Sequence, residues 1–272
     1  MKMKKMSTKK TGPRAAPANP YGSIQKAFRI VELLAERSPL GVTEIARELV
    51  LEKSSVSRLL KNLCKMGYAR QDTERGKYIL SPRILMLAHH YQSGNRLVKE
   101  VQPILQTLAR AARASAHLGI LVDSHLMIVV KEPSPEVIQV TSETGGHMPL
   151  HASALGKVIL AGQTEDVCTR LLKTPLKRYT KNTITDLKSL RRALQEVRQQ
   201  GYALEIEEEH LGVGCIAAPV RDTAGQWVAA VSVAGPVQGT PFKLDARCRQ
   251  LVVQKADELS HRIVAPFPEE IR

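Results

Sequence analysis

Within the first eighty residues three amphipathic runs follow one another and then give way to a short hairpin, an order that few folds accommodate. After Ser23, a candidate N-cap, apolar residues recur at Ile24, Ala27, Phe28, Val31 and Leu34, the spacing of one helix face, up to Ser38-Pro39. Thr43 then caps a short run to Leu49, and Ser54–Met66 repeats the period with Val56, Leu59, Leu60 and Leu63 inward. Its outward positions are Ser54, Ser55, Ser57, Arg58, Lys61 and Lys65, with no acid among them. The β-like runs Gly67–Gln71 and Lys77–Leu80, joined by five polar residues, read as a hairpin. One longer helix, two short helices across a tight turn and a hairpin wing make a winged helix-turn-helix over residues 22–82.

Charge agrees with that reading. Of the net +14, residues 1–83 contribute eighteen Lys/Arg against seven Asp/Glu, while the rest of the chain has twenty-two against nineteen. Only the N-terminal part therefore attracts a polyanion strongly. Residues 1–21 are rich in Lys, Pro and Ala, with almost no large apolar residue, and are expected to form a disordered basic tail. Aromatic residues make up 4% of the chain, too few for a single-strand stacking platform, so the partner expected is double-stranded DNA. The cysteines, Cys64, Cys168, Cys215 and Cys248, form no CxxC pair, which argues against a zinc ribbon or a disulfide framework. The positive start runs into Ala15–Pro20 rather than an apolar stretch, and no run approaches the roughly 18 apolar residues that span a bilayer. The expectation is a cytoplasmic protein with no membrane association and no cofactor.

Beyond the wing, Ser81-Pro82 starts a helix to about Tyr91, and Gln92–Asn95 interrupts it, making 83–96 a candidate linker helix. A long helix follows from about Leu97 to Ala114. Strands are expected at Leu118–Val122, Leu126–Lys131, Val137–Thr141, Tyr202–Glu205, Cys215–Val220 and Trp227–Ala234, and helices at Ala152–Ala161, Asp186–Gln200 and Leu244–Ile263. Short turns between sequential strands imply a mainly antiparallel sheet with helical cover over 97–265, and an α+β class for the chain.

The sequence resembles the isocitrate-lyase-regulator (IclR) family of bacterial transcription regulators from Ser23 to near Ile263. The matching stretches are Thr43–Arg47, Lys53–Leu60, Gly67-Tyr68 and Gly76–Leu80, then Met148–Lys157, Cys215–Val220 and Val231–Pro236, in the family's order and spacing. The resemblance implies a GAF-like effector-binding domain, homodimers or homotetramers, pseudo-palindromic operators and no catalysis. It also implies effector contacts from the Ala154 and Leu155 backbone, Glu205, Cys215 and Ser232. Three positions depart from the family's habit: Val50 stands where Gly is frequent at the helix turn, Glu205 where Asp is frequent, and Ala234 where a second Ser occurs. A β-branched residue resists positive φ, so the turn at Val50 is expected to be shaped differently.

Each motif has a plainer reading beside the functional one. The Ser54–Lys65 face reads as a recognition helix, with Arg58 reaching a guanine edge, or as a solvated helix surface. Arg75 and Lys77 on the wing read as phosphate contacts or as idle surface charge. The start of helix Ala152–Ala161 offers amides near Ala154 and Leu155 to the carboxylate of an organic acid, or is a capped helix packed on a sheet. Cys215 invites an enzymatic reading but fits a packed or pocket-lining thiol better. Glu207–Glu209 reads as a solvated acidic loop, because contiguous residues of an extended chain cannot all point inward. His147 and His151 have metal-like spacing, yet Pro149 between them disfavours the helix it requires.

Overall fold

A computed structural model describes residues 22–72, 76–122, 124–138, 140 and 142–262. The expected tail at 1–21 and Arg75 lie outside the described residues. The chain forms two compact units, one ending at Gln92 and the other beginning at Ser93.

The first unit contains α1 (Ser23–Arg37), α2 (Val42–Leu49), α3 (Lys53–Lys65), a two-stranded antiparallel hairpin of β1 (Ala69–Gln71) and β2 (Tyr78–Leu80), and most of α4 (Arg83–Gly94). Its core joins Ile30 and Leu34 of α1, Ile45 of α2 and Val56, Leu60 and Leu63 of α3, with Tyr78 of the wing closing it. The four inward positions read from the α3 sequence are all buried. Those of α1 are not: Ile24 and Phe28 are 75% and 63% exposed. At about 1.5 Å per residue, the fifteen-residue α1 is nearly twice as long as the eight-residue α2, and its first turns overreach the core.

Both helix starts differ from expectation. Ser23 and Thr43 lie inside α1 and α2, whose N-caps are Gly22 and Gly41. The third helical residue supplies the cap instead, as the Gly22 amide donates to Gln25 Oε1 (3.0 Å) and the Gly41 amide to Glu44 Oε2 (2.6 Å). The turn after α2 also corrects the sequence reading, because Val50 takes the left-handed conformation (φ 53°, ψ 52°) that Gly would take. Its amide donates to the carbonyls of Ala46 and Arg47, and these bonds hold the turn in shape at the expense of local strain.

The second unit is built on α5 (Arg96–Ala112), whose N-cap Asn95 accepts the Leu97 amide at 2.8 Å. Six strands follow: β3 (Ser115–Val122), β4 (His125–Glu132), β5 (His147–Met148), β6 (Ala203–Ile206), β7 (Val213–Arg221) and β8 (Trp227–Pro236). They pair antiparallel throughout in the order β5-β4-β3-β8-β7-β6. The helices are α6 (Ala154–Ala161), α7 (Glu165–Leu171), α8 (Leu187–Gln200) and α9 (Ala246–Arg262). Alternation along each strand divides two cores: Ile216, Ala218 and Val220 of β7 join the layer of α5 and α9, whereas Cys215 and Ala217 join that of α6 and α8. The class is α+β, as expected.

Val137–Thr141 forms no strand at its described positions, where Val137 is fully exposed. β-Branched residues extend a strand only when a neighbour pairs with them, and here β4 pairs with His147 and Met148 instead. α7, capped by Thr164, was not foreseen. α6 begins two residues later than expected because Ser153 caps it.

Candidate functional site

Two sites are built in the two units. In the first, Ser54, Arg58, Lys61 and Lys65 are exposed on α3, while Ser55 and Ser57 are half-buried along its flank. Arg58, Lys61 and Lys65 form no ion pair among the described residues. Uncommitted cations on an acid-free face suit a phosphate backbone, and the planar Arg58 fork suits a guanine edge. Thr43 is exposed on the first turn of α2. Lys77 has a task within the unit, since its Nζ lies 3.1 Å from Glu44 Oε1 and ties the wing to α2. That ammonium and the Gly41 amide hold the Glu44 carboxyl below its ordinary value.

In the second unit, the start of α6 is fixed by close packing. Ser153 Oγ donates to the Pro149 carbonyl (2.7 Å) and accepts the Gly156 amide (3.1 Å). The first backbone bond of the helix runs from Lys157 to Ser153, which leaves the amides of Ala154 and Leu155 for a partner from outside the helix. Leu155 fills the space left by the missing side chain of Gly119, where a Cβ would stand 3.3 Å from it, beside a bulge in β3.

Leu155, Glu205, Cys215 and Ser232, four of the five implied contacts, line one cavity of about 60 Å³ together with Ser153. Ala154 does not line it, and its side chain is wholly buried in the helix layer. β6 pairs Glu205 with Cys215, and β7 pairs Ala217 with Ser232 on β8, so three adjacent strands carry these groups. Ala234 also lines it, and the rest of the wall, which includes His117, Ser142, Met148, Glu209 and His210 beside apolar residues, was not foreseen. His117 Nε2 lies 2.7 Å from Ser142 Oγ, and its Nδ1 lies 3.4 Å from Ser232 Oγ. Burial, helped by the nearby Lys131 ammonium, pushes the imidazole down to about 3, so His117 is neutral and presents one donor and one acceptor.

The acidic run is not a solvated loop. Glu207 takes a left-handed φ of 57° and turns the chain back, so the side chains of Glu208 and Glu209 are only 12% and 15% exposed. Thr180 Oγ1 and Thr183 Oγ1 donate to the carbonyls of Glu207 and Glu208, both at 2.6 Å, which staples the turn down. Glu208 is paired with the buried Lys157 ammonium, which also donates to the Leu204 carbonyl. Glu205 Oε1 accepts the amides of Glu208 (2.5 Å) and Glu209 (3.2 Å). Burial pushes both Glu205 and Glu209 up to about 7; the amide bonds to Glu205 only partly offset its loss of water, Glu208 repels Glu205, and Glu205 repels Glu209.

Cys215 is poorly placed for nucleophilic work. Burial and the Glu205 charge raise its thiol far above its ordinary value, so no thiolate is present near neutral pH. His147 stacks near His125 (5.1 Å between centroids), whereas His151 bonds the Lys177 carbonyl at 2.8 Å, so the two rings serve separate neighbours. Among the described residues no group of three His, Cys, Asp or Glu is placed to hold a metal, and no helix is long and apolar enough to cross a membrane. A larger open cleft, about 730 Å³, runs between the end of α5 and the start of α9, and none of the implied effector contacts lines it.

Comparison with known proteins places both units. Residues 23–73 match the model of the IclR helix-turn-helix domain, and residues 89–261 match that of the bacterial transcriptional regulator IclR C-terminal domain. The chain is 32% identical over 215 residues to the HTH-type transcriptional regulator KdgR of Escherichia coli, covering 79% of this chain and 82% of that one. It is 34% identical over 242 residues to the HTH-type transcriptional regulator BhcR of Paracoccus denitrificans, covering 88% and 86%. Among solved structures, a transcriptional regulator from Alicyclobacillus acidocaldarius superposes with a TM-score of 0.75 at 25% identity, covering 88% of this chain and 97% of that chain.

Proposed function

This chain belongs to the IclR family of DNA-binding bacterial transcription regulators, and on that premise we propose that it is a cytoplasmic regulator whose operator binding is controlled by a small organic acid. The observation that carries the reading is the presence of both an uncommitted cationic face on α3 and, at the start of α6, a small apolar cavity with a few convergent polar groups. We assign DNA binding to residues 22–82, with Thr43, Ser54, Ser55, Ser57, Arg58, Lys61, Arg75 and Lys77 toward a pseudo-palindromic operator. Residues 83–96 are the linker, and 97–265 bind the effector and support self-association as a homodimer or homotetramer. Self-association is supported by α4, which buries none of its twelve residues and exposes Leu85, Met86 and Leu87.

The acid's carboxylate meets the amides of Ala154 and Leu155, while Glu205, Cys215 and Ser232 face its remainder. The cavity senses rather than catalyses, a reading favoured by the protonated, enclosed thiol of Cys215. Ligand can alter DNA affinity only by binding one arrangement of the assembly more tightly than another, and the coupling is reciprocal.

The test is to select bound genomic fragments with the full-length protein and titrate them at one moderate salt concentration, with and without short organic acids. Nanomolar, sequence-dependent binding that an acid shifts at least tenfold supports the reading. Binding that ignores sequence and collapses as salt rises would mark a non-specific DNA-coating protein instead.

A further inference from the structure

The wall of the cavity narrows what can occupy it. Glu205 is 3% exposed, and its Oε1 is filled by two amides, but its Oε2 has no hydrogen-bond partner among the described residues although the residue lines the cavity. An oxygen that opens on the cavity without a protein donor is free to carry its own proton or to meet a donor brought by a ligand. Glu209 lines the same wall, and no Lys or Arg lines any part of the cavity. Lys157, the cation nearest Glu205 on α6, is committed to Glu208 and the Leu204 carbonyl, and Lys131 bonds the Ser142 carbonyl.

We propose that the cavity accepts a two- or three-carbon monocarboxylate bearing a hydroxyl group, rejects dicarboxylates of equal length, and binds its ligand together with protons on Glu205 and Glu209. The inference rests on the organic-acid reading above. The size follows from the volume: at roughly 10–15 Å³ per water-sized occupant, about 60 Å³ holds about four to six non-hydrogen atoms. The class follows from charge. One carboxylate is met at the start of α6 by the free amide of Leu155, but a second would lie against two buried carboxyls with no cation to balance it. A hydroxyl instead donates to Glu205 or accepts from its proton, and Ser232, whose hydroxyl both donates and accepts, satisfies its other lone pair or hydrogen.

Every charged or titratable neighbour bears on the proton. Around Glu205 stand Lys157 from α6, Glu208 and Glu209 from the turn, Cys215 from β7 and His117 from β3; around Glu209 stand Glu205, His210 and Tyr179. His151 and Lys157 face Glu208, which is one bond removed from the cavity. The burial that already lifts Glu205 and Glu209 toward neutrality is reinforced when a ligand anion arrives, so both carboxyls hold protons more tightly in the complex.

The experiment is calorimetric titration of the full-length protein with glycolate, lactate and 3-hydroxypropionate, and with oxalate and malonate, of which oxalate is no larger than lactate, at pH 7 in two buffers of different ionisation enthalpy. At least one hydroxy monocarboxylate should bind with net proton uptake and at least about 100-fold more tightly than either dicarboxylate. Its affinity should fall about tenfold per pH unit above pH 7 for each proton taken up. E205Q and E209Q should each reduce the uptake, and E209Q, at the outer wall, serves if E205Q disturbs the turn. Binding without proton exchange, or equal affinity for the dicarboxylates, overturns this inference and leaves the acid reading standing. If none of the five acids binds while another acid shifts operator affinity, this inference falls alone; if no acid does either, both fall.

Discussion

Gly156 of α6 lies so close beneath Leu150 that a Cβ on the glycine would stand 2.3 Å from the Leu150 carbonyl oxygen. The obstacle is backbone, so no rotamer change relieves it. Gly156→Ala must push the start of α6 away from the preceding turn, and with it the amides of Ala154 and Leu155. The second unit should lose about 3 kcal/mol of stability, as overpacked sites do, and bind acid far more weakly. The first unit should melt as before, a contrast that calorimetric scanning reads directly.

Val50 stores strain at no benefit to packing, being 82% exposed in a left-handed conformation. That conformation costs a non-glycine residue about 1–2 kcal/mol, against which glycine's extra freedom in the unfolded chain offsets up to about 1 kcal/mol. Val50→Gly should therefore stabilise the first unit by about 1 kcal/mol. Denaturant titration of the variant at unchanged slope is the check, and a destabilised variant would show that the side chain's contacts within the unit outweigh the strain.

Arg58→Ala should leave the fold intact, because the residue is exposed and forms no ion pair among the described residues. Operator affinity should fall by about 1–3 kcal/mol, with relaxed preference at one base pair. Lys61→Ala should weaken all sequences alike and reduce the salt slope by about one. Equal behaviour of the two variants across a panel of operator sequences would remove the distinction between base reading and backbone contact.

Stability of the second unit should decline with rising pH through the neutral range. Glu205 and Glu209 have values near 7 in the folded chain against an ordinary 4.5, so the folded state holds their protons more tightly. Their contribution is whole below about pH 4.5 and is lost as pH rises through about 7, with a slope of at most about 1.4 kcal/mol per pH unit for each group. Asp186 and Glu258, held below their ordinary values, act in the opposite sense but only at lower pH. Glu205→Gln should flatten the decline, and melting temperatures measured from pH 5 to 8 decide it.

What could be read from the sequence followed the range of the interactions involved. The inward face of α3 was legible because its period is local, and Leu155, Cys215 and Ser232 fell on one cavity because they lie in stretches that resemble a known family. His117 was not legible, since its partner Ser232 is 115 positions away and only the β3–β8 pairing joins them. Glu209 was misread because the acidic run was taken as extended, whereas the left-handed Glu207 folds it inward under Thr180 and Thr183. The missing strand at Val137 and the exposed Ile24 and Phe28 share one cause: apolar composition says what is able to pair or pack, and only tertiary contacts say what does.

The order of the six strands also bears on how the protein behaves when concentrated. The long strands β3, β8 and β7 lie inside the sheet, β4 is next to one edge, and the edges themselves are β5 with two residues and β6 with four. A strand arriving at β5 or β6 themselves would find only a few unsatisfied backbone groups, too short a template to add to, although β5 covers only Leu126 and Met127 of β4. Sheet-to-sheet addition at these two strands is thereby disfavoured.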